Sequence, residues 1–492
     1  MAAIYKHGTY GEFAKSIVTT AAESATTVVY IGVAPVNLVR GYASAGLVNN
    51  PVLLASLSDV QTKMGYSPDW GTFTLCEAFK AHFDNPAGNS GPIVAINVLD
   101  PAVHKKSAET TQQLTFTNGR ATITSDTIIL DTLVLADKVE GTDFSVEYDF
   151  ANKRVIIDSV GEKITGTVAA TFSEIDASGI TAETVIGSAT ASGIYTGLGA
   201  LELVYQQLGL VPNVLVAPGW SEDPTVYEAM IAAGTKINGH WDAFALADLP
   251  LEDEGVMVDT IAAAIAWAAE NGYTNERSKV CWPRAVATTG DIYRLSTLCA
   301  WRMQLVDASH DGIPMETPSN KAVPVAKQYF GADSANRGFD QNRANALNEK
   351  GITTVAYFGG QWVLWGGHTA AYKFGDVNDN RVIFDNSVRM MMYVSNRFQE
   401  DWALTIDAPM TLAMSETIKQ REQEKADALA AVGALIGKPV VYFNRAANSD
   451  SALVEGNFVW DFEGTPTPPL KSATLRVAYT TAGFSSYFGE EV

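Results

Sequence analysis

The sequence is poor in charged residues and in cysteine. Charged side chains make up only 18% of its 492 residues, below the roughly 25% that is usual for globular domains. The three cysteines, Cys76, Cys281 and Cys299, are far apart and form no C-x-x-C pair. A disulfide framework and a structural zinc site are therefore not expected.

Positive charge is scarce too, with 34 basic against 55 acidic side chains and a formal net charge of −21. Because the negative electrostatic field of such a protein repels phosphate, the composition argues against a general binder of nucleic acids or anionic membranes. The longest apolar run, at 261–269, is too short to span a bilayer. The first sixteen residues contain no apolar stretch, so we expect no secretory signal and predict synthesis in the cytoplasm.

Motifs for catalysis, metals and cofactors are also missing. No pair with metal-ligand spacing occurs among the histidines, which are His7, His82, His104, His240, His310 and His368. There is no P-loop and no G-x-S-x-G elbow, and the glycines of GIYTGLGALE lack the context of a dinucleotide site. The acidic run at 252–254 is compatible with a cation site, but a solvated loop is the simpler interpretation. The residues therefore predict no enzyme, no metal and no cofactor.

Apolar residues make up 47% of the chain, enough for a sizeable core, and the length predicts roughly three domains. The apolar runs at 26–35 and 91–100 predict buried strands, and a stripe of apolar residues between 75 and 83 predicts a helix between them. Similar patterns resume after residue 177, including SGIYTGLGALELVYQQLG as a helix and SKVCWPRAV as a strand. This alternation indicates an α/β core.

Between residues 107 and 176 the pattern changes to short alternating strands. The pair Asn118–Gly119 predicts a hairpin, because both central residues of such a turn need positive φ. The run FSVEYDFANKRVIID predicts a second hairpin. The segment has five basic and twelve acidic residues, so we predict an all-β insertion that faces solvent.

From about residue 371 the patterns predict a separate α+β unit with two helices, at 386–398 and 410–437, followed by strands. The last strand, at 473–480, follows the proline-rich run TPTPPLK and alternates apolar residues on one face. Residues 8–20 can also extend as a strand. Two interpretations remain open for both ends, namely a strand of the chain's own sheet with a frayed tail, or donation to a neighbour's sheet edge.

Several stretches, in their order and spacing, resemble the tail sheath proteins of contractile phage tails and related contractile particles. They are VVYIGVAPV, NNPVLLASLSDVQTKMGY, TLCEAFKAHFDN, GPIVAINVLD, VPNVLVAPGWSEDPTVYEAM, SKVCWPRAV, TPSNKAV and NALNEKGITTVAYFGGQWVLWGGHTAA. The last part of the chain, through GALIGKPVVYF to a final strand, is similar to the family as well. One difference is His368, because family members often carry Arg shortly after the Trp-Gly pair.

The resemblance implies an α/β core, subtilisin-like without catalytic residues, with an inserted all-β domain and a C-terminal α+β domain. The implied division is an N-terminal arm at 1–23, the core at 24–106 and 177–370, the insertion at 107–176, and the C-terminal domain at 371–492, which ends in an exchangeable strand. The insertion is expected to point outward and the C-terminal domain to lie near an inner tube.

The resemblance also implies a structural subunit, not an enzyme, which polymerises helically around an inner tail tube protein and contracts to drive the tube through a cell envelope. The expected partners are further copies of the chain, the tube, the baseplate and the tail terminator, with no nucleic acid, no membrane insertion and no cofactor. The expected location is a phage tail or related particle, assembled in the bacterial cytoplasm. The implied inter-subunit strands contain Tyr10, Glu12, Phe13 and Lys15 in the N-terminal arm, and Leu475, Val477 and Tyr479 near the C-terminus.

Two other classes of protein remain open. One is an α/β enzyme with an unrecognised site, which a tight small-molecule site on a monomer would favour. The other is a different self-assembling structural protein, such as a capsid or tube component. The mixed α/β core and the long helix favour a sheath over a tube, since tube proteins are typically small and rich in β-strands.

Overall fold

The computed structural model describes residues 22–331 and 339–489, and its first strand lies in the middle of the main sheet. Val28, Val29, Tyr30 and Ile31 of this strand are all fully buried, as expected for a parallel strand that is covered on both faces. The elements before the insertion are β1 (Ala22–Gly32), β2 (Pro51–Leu54), α1 (Leu57–Lys63), α2 (Leu75–Phe83) and β3 (Ser90–Asn97). The predicted order of strand, helix and strand is confirmed.

The insertion forms two small antiparallel sheets around a core of its own. Its strands are β4 (Thr110–Phe116), β5 (Arg120–Thr124), β6 (Val134–Leu135), β7 (Phe144–Asp149), β8 (Arg154–Ser159) and β9 (Gly166–Phe172). The predicted turn is present, since Asn118 and Gly119 have φ values of 51° and 75°. The strands on either side of it then separate, β4 pairing with β9 and β5 with β8. The second predicted hairpin, β7 with β8, is confirmed.

The chain then returns to the α/β core. Its elements are α3 (Ala182–Ile186), β10 (Ser188–Ala189), β11 (Tyr195–Thr196), α4 (Leu203–Leu208), β12 (Val214–Val216), α5 (Pro224–Ala233), β13 (Phe244–Asp248), β14 (Glu252–Asp253), β15 (Val256–Met257), α6 (Ile261–Glu270), β16 (Ser278–Cys281), β17 (Arg284–Ala287), β18 (Ile292–Tyr293), α7 (Leu295–Ala308), β19 (Val325–Tyr329), α8 (Gln341–Asn348), β20 (Ile352–Phe358) and β21 (Gln361–Trp365).

Two sequence-based expectations in this part were wrong in detail. The stretch SGIYTGLGALELVYQQLG is not helical throughout, because Gly193 and Gly197 have positive φ values of 81° and 53° and a short strand lies between them. Helical turns begin only at Gly197. The stretch SKVCWPRAV contains two strands, β16 and β17, which belong to different sheets.

The main sheet has eight strands in the order β2-β3-β1-β12-β13-β16-β20-β21. Neighbouring strands from β3 to β20 run parallel, while β2 and β21 are antiparallel at the two edges. Helix α7 packs against β1, and eleven of its fourteen residues are buried. Helix α5 begins with Pro224 in its first turn, and Asp223 accepts a hydrogen bond from the Thr225 N–H at 2.8 Å.

The last part of the chain contains two long helices beside a two-stranded antiparallel sheet. Its elements are α9 (Asp385–Trp402), α10 (Leu412–Ala431), β22 (Leu435–Phe443), α11 (Asp450–Val454), β23 (Trp460–Pro466) and α12 (Ala482–Phe488). Helix α10 packs along β22, and α9 contacts β23. Residues 467–480 form neither helix nor strand, so the predicted last strand does not form within this chain.

Candidate assembly surface

The two sets of predicted strand-exchange residues have different outcomes. Tyr10, Glu12, Phe13 and Lys15 lie outside the described residues. Leu475, Val477 and Tyr479 are described, and their exposed fractions are 86%, 86% and 83%. An alternating apolar segment therefore extends from the chain without contact to its own core. We call residues 467–489 the C-terminal arm.

The root of the C-terminal arm, residues 467–471, is held in place by contacts with the rest of the chain. The remainder of the arm is exposed. The Thr467 N–H donates to the Ala434 carbonyl at 3.0 Å, and the Thr467 hydroxyl donates to the Gly433 carbonyl at 2.6 Å. Four residues later, Lys471 Nζ contacts the Tyr372 hydroxyl at 3.2 Å and lies 5.0 Å from the centre of the Tyr372 ring. The arm is therefore held up to Lys471 and leaves the surface beyond it.

His368, which follows shortly after the pair Trp365–Gly366, supports this root. Its ring stacks on Tyr372 with 3.6 Å between ring centres, and Phe384 lies on it at 5.0 Å. Burial first, and the charge of Lys471 second, lower the pKa of His368 to about 4. A neutral, flat ring therefore packs against Tyr372.

Replacing His368 by Phe is expected to reduce the acid sensitivity of folding. An unfolded histidine titrates near 6.5, whereas the pKa of His368 in the folded chain is about 4. Between these values the unfolded state binds more protons, so stability is lost as the pH falls from 6.5 towards 4, by up to about 1.4 kcal/mol per pH unit. Urea unfolding at pH 6.5 and at about pH 5 measures this slope. Equal slopes for the H368F variant and the parent chain would contradict the assignment.

The small sheet beside the arm has one occupied edge and one open edge. The Val441 N–H donates to Gln423 Oε1 at 2.8 Å, and Gln423 Nε2 donates to the Pro439 carbonyl at 3.0 Å. A side chain of α10 thus uses the outer edge of β22, and a proline in this strand removes a further donor. The other strand, β23, pairs only with β22 among the described residues. Its outer edge is therefore the better place for an added strand.

Two buried ion pairs fix the start of α9 to the α/β core. Asp385 lies 2.8 Å from Lys279 Nζ of β16, and both side chains are fully buried. One turn later, Arg389 contacts Asp307 of α7, with 3.3 Å between Arg389 Nη1 and Asp307 Oδ1. Removing one partner from such a pair leaves an unpaired buried charge, which costs about 3–5 kcal/mol. The start of α9 is therefore part of the rigid core.

A second charged network fills the carboxyl edge of the parallel strands, where α/β enzymes place their active sites. Arg294 bridges Glu77 at 2.8 Å and Glu222 at 2.9 Å. At the end of β13, Asp248 accepts a hydrogen bond from the Ser296 N–H at 2.9 Å, and burial raises the pKa of Asp248 to about 7. A raised carboxyl pKa beside a hydroxyl can mark a catalytic site. Here Asp248 is 2% exposed and Ser296 is fully buried, so a substrate has no access to either.

The other candidate sites gain no support from the geometry. In the part of the chain that the structure describes, no group of three or more His, Cys, Asp or Glu side chains is placed to hold a metal ion. The acidic run at 252–254 lies on the exposed hairpin of β14 and β15, and Asp253 accepts a hydrogen bond from Trp267 Nε1 at 2.7 Å. None of the helices within 22–331 and 339–489 has the length and apolar character needed to cross a membrane.

The fold is that of sheath proteins from contractile particles. The chain superposes on a subunit of the contracted helical sheath of the anti-feeding prophage, with a TM-score of 0.53 and 13% identity. The match covers 96% of this chain and 98% of the other. At this level of identity the likeness concerns the fold alone. No family model matches the chain.

Curated relatives agree with the fold. The chain is 28% identical to the tail sheath protein of Burkholderia phage BcepMu over an alignment of 513 positions, which covers 98% of each chain. It is 24% identical to the tail sheath protein of Escherichia phage P2, over 61% of this chain and 71% of the relative. The resemblance to contractile tail sheath proteins is thereby confirmed.

Proposed function

We propose that this chain is the structural subunit of a contractile tail sheath, which polymerises helically around an inner tube and contracts to drive the tube through a cell envelope. The observation that carries the proposal is the similarity to a phage tail sheath protein along 98% of both chains. The partners are further copies of the chain, the tube, the baseplate and the tail terminator, in a phage tail or related particle. The role is structural and not enzymatic.

The finer architecture is part of the same proposal. The strand order of the main sheet supports a subtilisin-like core, and the closed charged network at its carboxyl edge supports the lack of catalytic residues. Apolar clusters centred in each part support a division into the core at 24–106 and 177–370, the insertion at 107–176 and the C-terminal domain at 371–492, while Val388 of α9 joins the core cluster and Ile313 packs against the C-terminal one.

Neighbouring copies are linked by donated strands. Leu475, Val477 and Tyr479 of one copy pair with the outer edge of β23 in the next, which is supported by the exposure of the arm and by the occupied edge of β22. About five backbone hydrogen bonds at roughly 1 kcal/mol each give about 5 kcal/mol per strand. The N-terminal arm, residues 1–23 with Tyr10, Glu12, Phe13 and Lys15, supplies a second link of the same kind.

Contraction then moves rigid bodies that stay connected by these strands. The ion pairs at the start of α9 hold it to the core, so the change in shape falls on the arms beyond Lys471 and not on that junction. An additional burial of roughly 400 Å² of apolar surface per subunit would release at most about 10 kcal/mol. Imperfect polar pairing lowers this figure. The energy is stored during assembly, and no nucleotide is needed.

Negative-stain electron microscopy of the purified chain tests the proposal. We expect hollow, striated tubes of uniform width at high protein concentration, because the donated strands make a head-to-tail contact that does not close on itself. Dispersed monomers at all concentrations, together with tight binding of a small molecule, would contradict the proposal and favour an enzyme.

A further inference from the structure

An apolar groove lies between α9, α10 and β23 in the C-terminal part of the chain. Its volume is about 250 Å³, and the apolar side chains in its wall include Ile313, Tyr393, Val394, Leu429, Val432 and Phe462. Val432 at its mouth is 56% exposed. An apolar cavity of about 150 Å³ can hold a benzene molecule, so this groove has room for an aromatic side chain.

The chain also carries exposed aromatic side chains that do not pack into its own core. Phe484, Tyr487 and Phe488 of α12 are 57%, 83% and 76% exposed. Their spacing places them on one face of the helix, where Tyr487 and Phe488 lie 5.0 Å apart between ring centres. A helix of seven residues is marginal by itself in water. An exposed aromatic face on such a short helix is typical of a segment that packs against a partner.

We propose that α12 of one copy docks into the apolar groove of a neighbouring copy. The inference rests on the proposed function, because the donated strand brings the two features together. Phe462 belongs both to β23 and to the wall of the groove. The five Cα–Cα steps from Tyr479 to Phe484 span at most about 17 Å, so a strand on the edge of β23 keeps α12 close to the groove.

The area also fits a second copy as the occupant. Three aromatic side chains bury roughly 150–250 Å² each, which together with a donated strand approaches the roughly 800 Å² per partner of a stable interface. Arg397 and Lys425 at the rim of the groove are balanced by two carboxylates, since Asp401 contacts both and Glu422 contacts Lys425 as well. The rim therefore carries no net charge, and the apolar wall is what an occupant meets.

Cross-linking between two copies tests the docking directly. All three native cysteines are buried, so engineered cysteines provide the reactive thiols. One full-length variant carries Ser486→Cys in α12 and the other carries Val432→Cys at the groove. We expect a bismaleimide to give a covalent dimer only when the two variants are mixed and assembled. The double variant treated as a dilute monomer should give no intrachain product.

A second measurement compares the critical concentration for tube formation between variants. Replacing Phe484, Tyr487 and Phe488 by Ser is expected to raise the critical concentration for tube formation at least tenfold, while the matched control Phe374→Ser, at a residue that is 63% exposed, leaves it unchanged. Tubes that form without the covalent dimer would overturn the docking but leave the proposed function intact. An intrachain product in the dilute double variant would show that the occupant is the chain's own helix. A parent chain that stays monomeric at all concentrations and binds a small molecule tightly would overturn both proposals.

Discussion

Removing residues 473–492 is expected to abolish long assemblies while the monomer stays folded. The arm beyond Lys471 is exposed and makes no strand with the rest of the described chain, so the unfolding midpoint should change little. A lost strand of about 5 kcal/mol raises the critical concentration by roughly three to four orders of magnitude. Electron microscopy and sedimentation measure assembly, and urea unfolding measures the monomer. The same outcome is expected when residues 1–20 are removed.

Point variants distinguish a specific effect of strand pairing from a general effect of deleting the arm. Replacing Leu475, Val477 and Tyr479 by Ser alters only the apolar face of the segment and should prevent assembly. The matched control replaces Arg476 and Ala478, on the opposite face, by Ser and should assemble, since strand pairing alternates its faces. Ordered tubes from the truncated chain would show that strand exchange through this arm is wrong.

The largest loss of monomer stability is expected for Lys279→Met. This change leaves Asp385 buried and unpaired and removes the donor to three nearby oxygens, those of Thr353 Oγ1 and of the Gly366 and His368 carbonyls. We expect the free energy of unfolding to fall by about 3–5 kcal/mol. Urea unfolding of the parent and the variant at low protein concentration, where no tubes form, measures the difference.

The double variant Lys279→Met with Asp385→Leu is the control for this prediction. It removes both charges, and apolar replacement of a whole buried pair is often close to neutral. We therefore expect it to recover at least half of the loss caused by Lys279→Met. A double variant that is less stable than the single one would show that Asp385 contributes through contacts other than the ion pair.

Much of the core could be predicted from the sequence because several of its strands, such as β12, are apolar on both faces. The run from Val28 to Ile31 has no polar residue, and it becomes the buried middle of the sheet. The hairpin of β20 and β21 was also predictable, since two adjacent glycines, Gly359 and Gly360, separate its strands and both adopt positive φ. Local signals of this kind do not depend on distant parts of the chain.

The elements that the sequence did not indicate depend on distant contacts. Helix α7 is buried on nearly every side, so it has no polar stripe to mark its period. The pairing of Lys279 with Asp385 joins residues more than a hundred positions apart, and no local pattern predicts it. The role of Gln423 at the edge of β22 could not be predicted either, because a partly exposed glutamine in a helix has no distinctive sequence signal.

The two ends of the β-rich insertion lie side by side on the core. The Lys106 N–H donates to the Glu174 carbonyl at 2.9 Å, and the Asp176 N–H donates to the His104 carbonyl at 3.0 Å. Because the chain leaves and re-enters the core at one place, the segment between can be lengthened, exchanged or deleted with little effect on the closure entropy of the core. The fold therefore provides an insertion site, at which each subunit could carry a foreign domain or a reporter in place of the β-rich segment.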